Sequence, residues 1–166
     1  MNRCFRVALL EDLPFLEEML FNAVFWPVDR PRPATVAEGL APPELAHILA
    51  GWSRGGDTAL IVAVDGRPAG AAWYRYWSDC DSSYGYIAAG IPVLGIALKE
   101  TYRGQGLGRE LLTRLMEIAR AAGAARISLS VEKENPSRFL YISCGFVMDH
   151  EDDEDYIMVK ELYPLI

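Results

Sequence analysis

Six residues near the middle of the chain have the composition of an anion-binding turn. Residues 103–108 read Arg-Gly-Gln-Gly-Leu-Gly and lie just before an amphipathic, helix-like stretch. A turn without Cβ atoms lets an anion approach the backbone, and the unpaired N–H groups at the positive end of a helix dipole point towards it. The pattern therefore predicts a phosphate or pyrophosphate site. The alternative is a tight strand-to-helix turn that binds no ligand.

Two common phosphate-binding loops do not fit this stretch. A P-loop ends in Gly-Lys-Ser or Gly-Lys-Thr, whereas Gly108 is followed by Arg109 and Glu110. The dinucleotide-binding fingerprint requires glycine or alanine at its sixth position, which Arg109 occupies in this chain. Neither a P-loop nor a Rossmann fingerprint is therefore predicted.

A second motif follows further along the chain and consists of Asn135, Tyr141 and the pair Gly145-Phe146. With both motifs in this order, residues 95–146 resemble the GNAT superfamily of N-acetyltransferases. In that family a strand is followed by an Arg/Gln-x-x-Gly-x-Gly/Ala turn, which residues 103–108 match, and then by an asparagine, a tyrosine and Gly-Phe. Two spaced motifs in the right order are far more specific than either alone.

The resemblance extends over nearly the whole chain. Residues 6–20 look like the family's first strand and helix, residues 156–162 look like its last strand, and residues 25–52 are least similar. The implied architecture is a single α/β domain over residues 1–166. Its sheet is mixed and mostly antiparallel, flanked by helices, with an acetyl-CoA site built on a central strand, glycine-rich turn and helix.

The resemblance implies acetyl-CoA as the acetyl donor. A splayed strand edge would offer unpaired backbone groups to the pantetheine amides, and the N–H groups of residues 104–109 would hold the pyrophosphate. Arg103 or Arg109 would add charge, and Asn135 would hydrogen-bond near the end of the pantetheine. The residues expected to contact the donor are Ile96, Ala97, Leu98, Arg103, Gly104, Gln105, Gly106, Leu107, Gly108, Arg109 and Asn135.

Tyr141 is the residue expected to be catalytic. In the family a tyrosine at this place protonates the leaving thiolate of CoA, and a phenol with a pKa near 10 is protonated at neutral pH. The alternative is that Tyr141 is only a core aromatic side chain of a short helix. The spacing from Asn135 to the Gly-Phe pair favours the catalytic role.

The sequence assigns no general base. Some family members carry a glutamate five residues before the asparagine, where this chain has Ser130, and a serine hydroxyl is no general base at neutral pH. A water chain or loss of the amine proton to solvent before attack are alternatives. The carboxylates that remain open as candidates are Glu132, Asp79, Asp81 and Glu100.

The elements that must position these groups follow from hydrophobic spacing. Residues 93–98 are the predicted strand before the turn, and apolar residues every three or four positions predict a helix from Leu107 to its stop at Gly123. Further predicted elements are strands over residues 5–10, 126–131, 145–148 and 155–162, a hairpin of residues 59–64 and 69–76 turned at Asp65-Gly66, a helix capped by Asp12, and helical stretches over residues 43–52 and 136–144.

Three other stretches leave their interpretation open. Glycines and a proline within the apolar run 86–98 indicate an irregularity or a bulge near the middle of a buried strand. The proline-rich residues 26–43 predict a surface connection. The aromatic residues of 73–77, with Tyr84 and Tyr86, either line an acceptor pocket or form ordinary core pairs. The acidic run 151–155 is either a solvated hairpin loop or a field that attracts a cationic amine.

Composition limits the partners. The net charge of −7 argues against nucleic acid, because such binding depends on many lysines and arginines. The three cysteines and two histidines have no metal-ligand spacing, so no metal site is expected, and the odd cysteine count fits a reducing cytoplasm. No apolar run reaches the length of a membrane span or signal peptide, so a soluble, cytoplasmic protein is predicted.

The predicted function is direct transfer of an acetyl group from acetyl-CoA to a primary amine of a small molecule or protein. The alternative is a catalytically silent acyl-CoA-binding or protein-interaction module of the same fold. The acidic surface suits a cationic acceptor better than an anionic one. The sequence leaves open the acceptor, the acyl-chain preference and the choice between monomer and homodimer.

Overall fold

Seven strands form one sheet in the computed structural model, which describes residues 1–163. Their order is β1-β2-β3-β4-β5-β7-β6, and β4 and β5 are its parallel pair. The strands are β1 (Arg3–Val7), β2 (Thr58–Val64), β3 (Arg67–Arg75), β4 (Val93–Leu98), β5 (Arg126–Glu132), β6 (Val147–Glu151) and β7 (Asp155–Glu161). The predicted mixed, mostly antiparallel sheet is confirmed. The single domain over residues 1–166 stays a prediction, and residues 164–166 lie outside the described range.

Helices cover both faces of the sheet and bury a separate core on each. The helices are α1 (Leu13–Val24), α2 (Val36–Gly39), α3 (Pro43–Leu49), α4 (Leu107–Ala121) and α5 (Ser137–Ser143). Helix α4 packs on one face, while α1 and α3 pack on the other. Leu111 and Leu115 of α4 are fully buried, and each contributes about 1.5–3 kcal/mol relative to an exposed leucine. The apolar stripe of α4 therefore fixes this helix on the sheet.

The predicted strand, turn and helix at the centre of the chain are confirmed. Strand β4 has the predicted bounds, and α4 begins at Leu107 and is followed by Gly123, whose φ of 102° suits glycine. The hairpin between β2 and β3 also turns where expected, at Asp65 and Gly66, which both have positive φ. As a result the N-terminus of α4 lies just beyond the C-terminal end of β4.

The chain leaves β1 earlier than the predicted strand over residues 5–10. The carboxylate of Asp12 accepts the N–H of Leu9 at 2.7 Å and two N–H groups of Arg6 at 2.7 Å, which holds a 3-10 turn over Leu10–Asp12. Those bonds from Arg6 lower the pKa of Asp12 to about 2. Asp12 directly precedes α1, but its side chain caps no N–H group of that helix. The predicted N-cap therefore stabilises the preceding turn instead.

Two differences concern the proline-rich region. The connection over residues 26–43 contains the short helix α2, which is capped by Thr35 because its hydroxyl accepts the N–H of Glu38 at 3.1 Å. The helical stretch predicted over residues 43–52 ends at Leu49. It ends there because the backbone turns away at Ala50 into an extended conformation.

The irregularity predicted within residues 86–98 is present as the non-strand segment 86–92, whereas β4 itself pairs with β3 without a register shift. The shift lies instead between Val62 and Ala63 in the pairing of β2 with β3. Gly95 does not mark a bulge. A glycine is required there because a Cβ atom would lie 2.6 Å from the indole ring of Trp73. The glycine therefore marks close packing against an aromatic ring.

Candidate active site

The parallel strands β4 and β5 separate along their length. They pair at Val93 and Ser128, where the N–H of Ser128 donates to the carbonyl of Pro92 at 3.0 Å. Within residues 1–163 no second pair joins the two strands. Their C-terminal halves therefore enclose a wedge-shaped opening with unpaired strand edges.

Alternation along β4 decides which backbone groups face this opening. The N–H of Lys99 donates to a carbonyl of β3 at 2.8 Å, and Ala97, two residues earlier, directs its backbone groups to the same edge. Because successive residues of a strand direct their N–H and C=O groups to opposite edges, the groups of Ile96 and Leu98 face the opening. The strand residues predicted to pair with pantetheine are Ile96, Ala97 and Leu98. Of these, Ala97 directs its backbone groups to β3 instead.

The glycine-rich turn presents a row of N–H groups to solvent. For residues 104–109, the described part of the chain supplies no acceptor to any backbone N–H. Gly104 and Gly106 have φ values of 74° and 81°, and no atom lies within 4 Å of a Cβ built on either. Such a left-handed turn leading into a helix forms a concave anion nest. The residues present therefore fit a pyrophosphate group.

Arg3 of β1 holds this turn, a role that the sequence did not indicate. Its guanidinium donates to the carboxylate of Glu110 at 2.8 Å and to the carbonyl of Gln105 at 2.8 Å, across 102 residues of sequence. The carbonyl of Gln105 and the N–H of Gly106 belong to one planar peptide. Arg3 therefore fixes the direction in which the Gly106 N–H points.

The two arginines predicted to add charge are placed differently. The Nε of Arg103 donates to the carbonyl of Leu98 at 3.3 Å, which places its exposed guanidinium beside the opening. The guanidinium of Arg109 donates to the hydroxyl of Ser143 at 2.6 Å and lies 3.6 Å from Sγ of Cys144, both at the end of α5. Of the two side chains, that of Arg103 is therefore the one beside the opening.

The other residues of the turn seat it on the sheet. The side chain of Leu107 is fully buried, and a Cβ at Gly108 would lie 3.4 Å from the side chain of Leu140. The side-chain amide of Gln105 donates back to the carbonyl of Thr101 at 3.2 Å. These contacts leave the backbone, rather than side chains, as the anion-binding surface.

Asn135 uses half of its side chain to begin α5. Its Oδ1 accepts the N–H of Ser137 at 2.9 Å, an Asx turn that places the first residue of the helix. The amide N–H₂ of Asn135 has no acceptor among residues 1–163 and stays available to donate. Asn135 therefore offers a ligand two donors but not a free carbonyl.

Tyr141 lies on α5 in the core beneath α4. Only 8% of the residue is exposed, and its ring packs edge-on against Phe146 at 6.1 Å between centroids. Burial raises the pKa of the Tyr141 phenol above its ordinary value. The hydroxyl has no hydrogen-bond partner within the described chain. The side chain therefore combines a core ring with a protonated, unpartnered hydroxyl.

A cleft of about 690 Å³ lies on the face of the sheet that carries α3. It is bounded by α3, the loop over residues 82–86, β5 and the hairpin of β6 and β7, and Ser130 lies at its wall. Tyr84 and Tyr86 line it, whereas Trp73 and Tyr74 are buried in the two cores. The predicted aromatic cluster thus divides between pocket lining and core.

Two of the open base candidates lie outside the cleft. Glu132 forms a bidentate pair with Arg30 at 2.8 Å for both bonds, which lowers the pKa of Glu132. Glu100 lies in the 3-10 turn over Glu100–Tyr102, after β4 and beside the glycine-rich turn. Neither carboxylate lines the cleft. Glu132 is thus a structural anchor for the loop after α1.

The two aspartates of the β3–β4 connection are also engaged. Asp79 accepts the hydroxyl of Tyr86, and this bond raises the pKa of that phenol. Asp81 lies 2.9 Å from Nε2 of His47, whose ring packs at a tilt against Trp77 with 4.8 Å between centroids. Both carboxylates therefore fix the residues that wall the cleft.

A carboxylate that the sequence did not single out reaches the position of the missing glutamate. The hydroxyl of Ser130 on β5 donates to Oδ2 of Asp155 on β7 at 3.1 Å. Burial raises the pKa of Asp155 above its ordinary value. In the sequence, Asp155 belongs to the acidic run 151–155 and lies far from Ser130. Only the pairing of β5 with β7 brings the two residues together.

A sequence model described as the acetyltransferase (GNAT) family matches residues 23–146. The chain belongs to the GNAT family of acetyltransferases. The match spans the glycine-rich turn, the opening between β4 and β5 and the Asn135-to-Phe146 motif, so the resemblance carried by those residues is confirmed. No curated protein sequence matches the chain.

Solved structures with the same fold belong to this family. PaiA N-acetyltransferase from Thermoplasma acidophilum, in complex with coenzyme A, has 22% identity and a TM-score of 0.71, covering 97% of this chain and 99% of its own. YncA from Salmonella typhimurium, with its cofactor acetyl-CoA, has 21% identity and a TM-score of 0.69, covering 100% and 97%. Ribosomal-protein-alanine N-acetyltransferase from Brucella melitensis has 21% identity and a TM-score of 0.68, covering 95% and 99%.

These similarities show that the chain shares the fold of these three acetyltransferases over almost the full length of each chain. Over the described range, no helix is long and apolar enough to cross a membrane. Within residues 1–163, no cluster of histidine, cysteine and carboxylate side chains is arranged to hold a metal ion.

Proposed function

We propose that the protein transfers the acetyl group of acetyl-CoA directly to a primary amine. The observation that carries the proposal is the row of free N–H groups over residues 104–109, continued by the open edge of β4. An extended ligand with a pyrophosphate at one end and amides along its arm matches both parts. The complexes of PaiA with coenzyme A and of YncA with acetyl-CoA support this donor.

The chain's own residues divide the work of holding the donor. The N–H groups of residues 104–109 bind the pyrophosphate, and the guanidinium of Arg103 adds charge. The backbone groups of Ile96 and Leu98 pair with the pantetheine amides, while Ala97 keeps the strand joined to β3. The free N–H₂ of Asn135 donates near the end of the arm. Bound acetyl-CoA supplies the acetyl group as a thioester.

Tyr141 acts as the general acid in this proposal. Its raised pKa keeps the phenol protonated throughout the neutral range, and its hydroxyl has no other partner in the described structure. A proton donated to sulfur as the C–S bond breaks stabilises the leaving group. The ring is fixed by its contact with Phe146, which positions the hydroxyl.

The acceptor amine enters the cleft of about 690 Å³ beside β5. The cleft is large enough for a small metabolite or the end of a peptide, so both classes of primary amine belong in the test. Glu44 and Asp152 line it, and this acidic lining favours a cationic acceptor. A homodimer or a monomer is compatible with this arrangement.

The test has two stages. CoA binding is measured first, by calorimetry and by the rise in melting temperature, which a micromolar site produces at millimolar CoA. Thiol release from acetyl-CoA and from one longer acyl-CoA is then followed with a panel of polyamines, amino acids, aminoglycosides and peptides. Amine-dependent thiol release with formation of the acetylated amine is the expected result.

Two other outcomes would contradict the proposal. A protein whose melting temperature does not respond to CoA has no donor site at the glycine-rich turn. A protein that binds CoA but releases no thiol with any amine is a silent acyl-CoA-binding module.

A further inference from the structure

Ser130 and Asp155 meet where the cleft borders β5. We propose that Asp155, acting through the hydroxyl of Ser130, accepts the proton that the amine loses as the amide bond forms. The inference rests on the proposed function, because it concerns the base of the same reaction. Ser130 is the catalytic residue, because its hydroxyl contacts the amine. Asp155 is a positioning residue that orients this hydroxyl and accepts the proton from it.

The sheet register directs both side chains to the cleft side. Ser130 lies opposite Ile157, a residue that lines the cleft, and Asp155 lies two residues before Ile157 on the same face of β7. The other serine on this face of β5, Ser128, donates its hydroxyl to the carbonyl of Gly85 at 2.8 Å. Ser130 is therefore the hydroxyl of β5 that borders the cleft.

Among the described residues, no cation neutralises Asp155, in contrast to Glu132 and Asp81. Glu132 is paired with Arg30 and Asp81 with His47, whereas no lysine, arginine or histidine of residues 1–163 lies within 4.0 Å of the Asp155 carboxylate. An unpaired carboxylate whose pKa is raised by burial takes up a proton more readily than a salt-bridged one. Asp155 is therefore suited to receive a proton.

Several carboxylates lie near Asp155. The neighbouring carboxylates of Asp152, Glu154 and Glu132 add to the increase in its pKa, and the Ser130 hydrogen bond opposes it. Asp152 also accepts the N–H of Asp155 at 2.7 Å. The other titratable or charged groups near it are Tyr84 in the cleft, Arg30 paired with Glu132, and Lys133 paired with Glu151.

The step balances as follows. The nitrogen lone pair of the neutral amine forms the C–N bond to the thioester carbon, while an N–H proton passes to Oγ of Ser130 and the Ser130 proton passes to Oδ2 of Asp155. The C–S bond breaks, its electron pair stays on sulfur, and sulfur takes a proton from Tyr141. Asp155 then releases its proton to solvent and Tyr141 regains one. Amine and acetyl-CoA thus give amide and free thiol.

The two proton-transfer groups lie on opposite faces of the sheet. Tyr141 belongs to the core on the α4 face, and Ser130 borders the cleft on the α3 face. The opening between β4 and β5 lies between these faces. An amine entering from the cleft therefore meets the base on its own side, while the acid stands behind the leaving sulfur.

The first test compares the pH dependence of kcat/KM in Asp155→Asn, Ser130→Ala and the wild type. The wild type requires ionised Asp155, so its kcat/KM falls as the pH drops below the pKa of that carboxyl. Asp155→Asn is expected to lose about 100-fold in kcat/KM together with this acidic limb. Asp153→Asn, which removes the same charge from an exposed position of the same hairpin, is the matched control.

The exchanged variant Ser130→Asp with Asp155→Ser keeps one carboxylate and one hydroxyl at the same two positions. It is expected to recover at least tenfold of the activity that Asp155→Asn loses. If Asp155→Asn does not fold, Ser130→Ala decides, because it leaves the carboxylate in place and interrupts only the proton path. Retention of the wild-type rate and acidic limb by Ser130→Ala would overturn the proposal.

A second readout needs neither donor nor acceptor. The carboxyl carbon resonance of Asp155, followed by NMR against pH, is expected to titrate above the ordinary aspartate range near 4. The pKa of Asp155 is expected to be higher still in Ser130→Ala, because the hydrogen bond from Ser130 lowers this pKa in the wild type. An ordinary Asp155 pKa that does not change in Ser130→Ala would refute the proposed Ser130–Asp155 pair, even if acetyl transfer is demonstrated. Loss of CoA binding in the wild type would instead contradict the proposed function.

Discussion

Arg75 and Asp57 form a fully buried ion pair at the end of β3. The Nε and Nη2 atoms of Arg75 donate to the two carboxylate oxygens of Asp57 at 2.9 and 3.0 Å, and each side chain is 1% exposed. The remaining Nη1 of Arg75 donates to the carbonyls of Ile48 and Ala50, both at 2.9 Å. One guanidinium therefore links the sheet to the end of α3.

This link sets the position of one wall of the cleft beside β5. Pro43 and His47 of α3 line the cleft, and their helix ends at the carbonyls that Arg75 holds. The guanidinium also lies 5.5 Å from the ring of Trp52 and 5.3 Å from that of Trp77. Ion pair and aromatic rings together replace the water that the charge loses on burial.

Asp57→Asn is expected to destabilise the protein by about 3–5 kcal/mol, because it leaves the Arg75 charge buried without a counterion. Urea unfolding followed by tryptophan fluorescence measures the change. Asp29→Asn, at an exposed site, should stay within about 0.5 kcal/mol of the wild type. A loss below about 1 kcal/mol for Asp57→Asn would show that solvent reaches the pair.

Local signals in the sequence were sufficient to predict β4, the glycine-rich turn and α4. The apolar stripe of α4 and the stop at Gly123 are periodic and capped, so they predict one helix without reference to the rest of the chain. The helix α2 was missed because its four residues have no apolar period, and only the Thr35 cap marks it. Tertiary contacts also overrode the local cap signal at Asp12, which Arg6 draws into the preceding turn.

Other parts of the candidate site depend on contacts that no local pattern contains. Arg3 meets the glycine-rich turn only because β1 lies at the edge of the sheet near α4, and Asp155 meets Ser130 only through the register of β5 and β7. The parity of β4, which turns Ala97 away from the opening, follows from its pairing with β3. The motifs thus predicted the glycine-rich turn, whereas the contacts of Arg3, Asp155 and Ala97 follow only from the arrangement of the sheet.

Gly106→Ala is expected to weaken CoA binding about tenfold, because the positive φ and the added methyl group both disturb the anion nest. Gly123→Ala is the matched control, since Gly123 also has positive φ and open space but lies at the opposite end of α4. Both variants should lose about 1–2 kcal/mol of stability from backbone strain. Calorimetry with CoA distinguishes them, and equal weakening in both would contradict an anion site at the turn.

Arg3→Met is expected to raise the Kd for CoA about fivefold with little change in melting temperature. The variant releases the Gln105 peptide, whereas the partly exposed pair with Glu110 contributes at most about 1 kcal/mol to stability. Arg6→Met removes a neighbouring arginine of β1 that contacts Asp12 and not the turn. Calorimetry should show normal CoA affinity for Arg6→Met. Equal affinities of Arg3→Met and wild type would show that the turn holds its shape without Arg3.

Tyr141→Phe is expected to lower kcat about 100-fold while leaving the Kd for CoA within twofold of the wild type, because it removes the proposed acid and keeps the buried ring. The deficit should be nearly constant from pH 6 to 9, since burial raises the pKa of Tyr141 and the wild-type phenol stays protonated over that range. Tyr76→Phe is the matched control, because it removes the hydroxyl of a partly buried tyrosine that packs against the same core directly after β3. Steady-state thiol release with the best amine of the panel, measured for both variants, tests the assignment. Full activity of Tyr141→Phe would reduce Tyr141 to a packing residue.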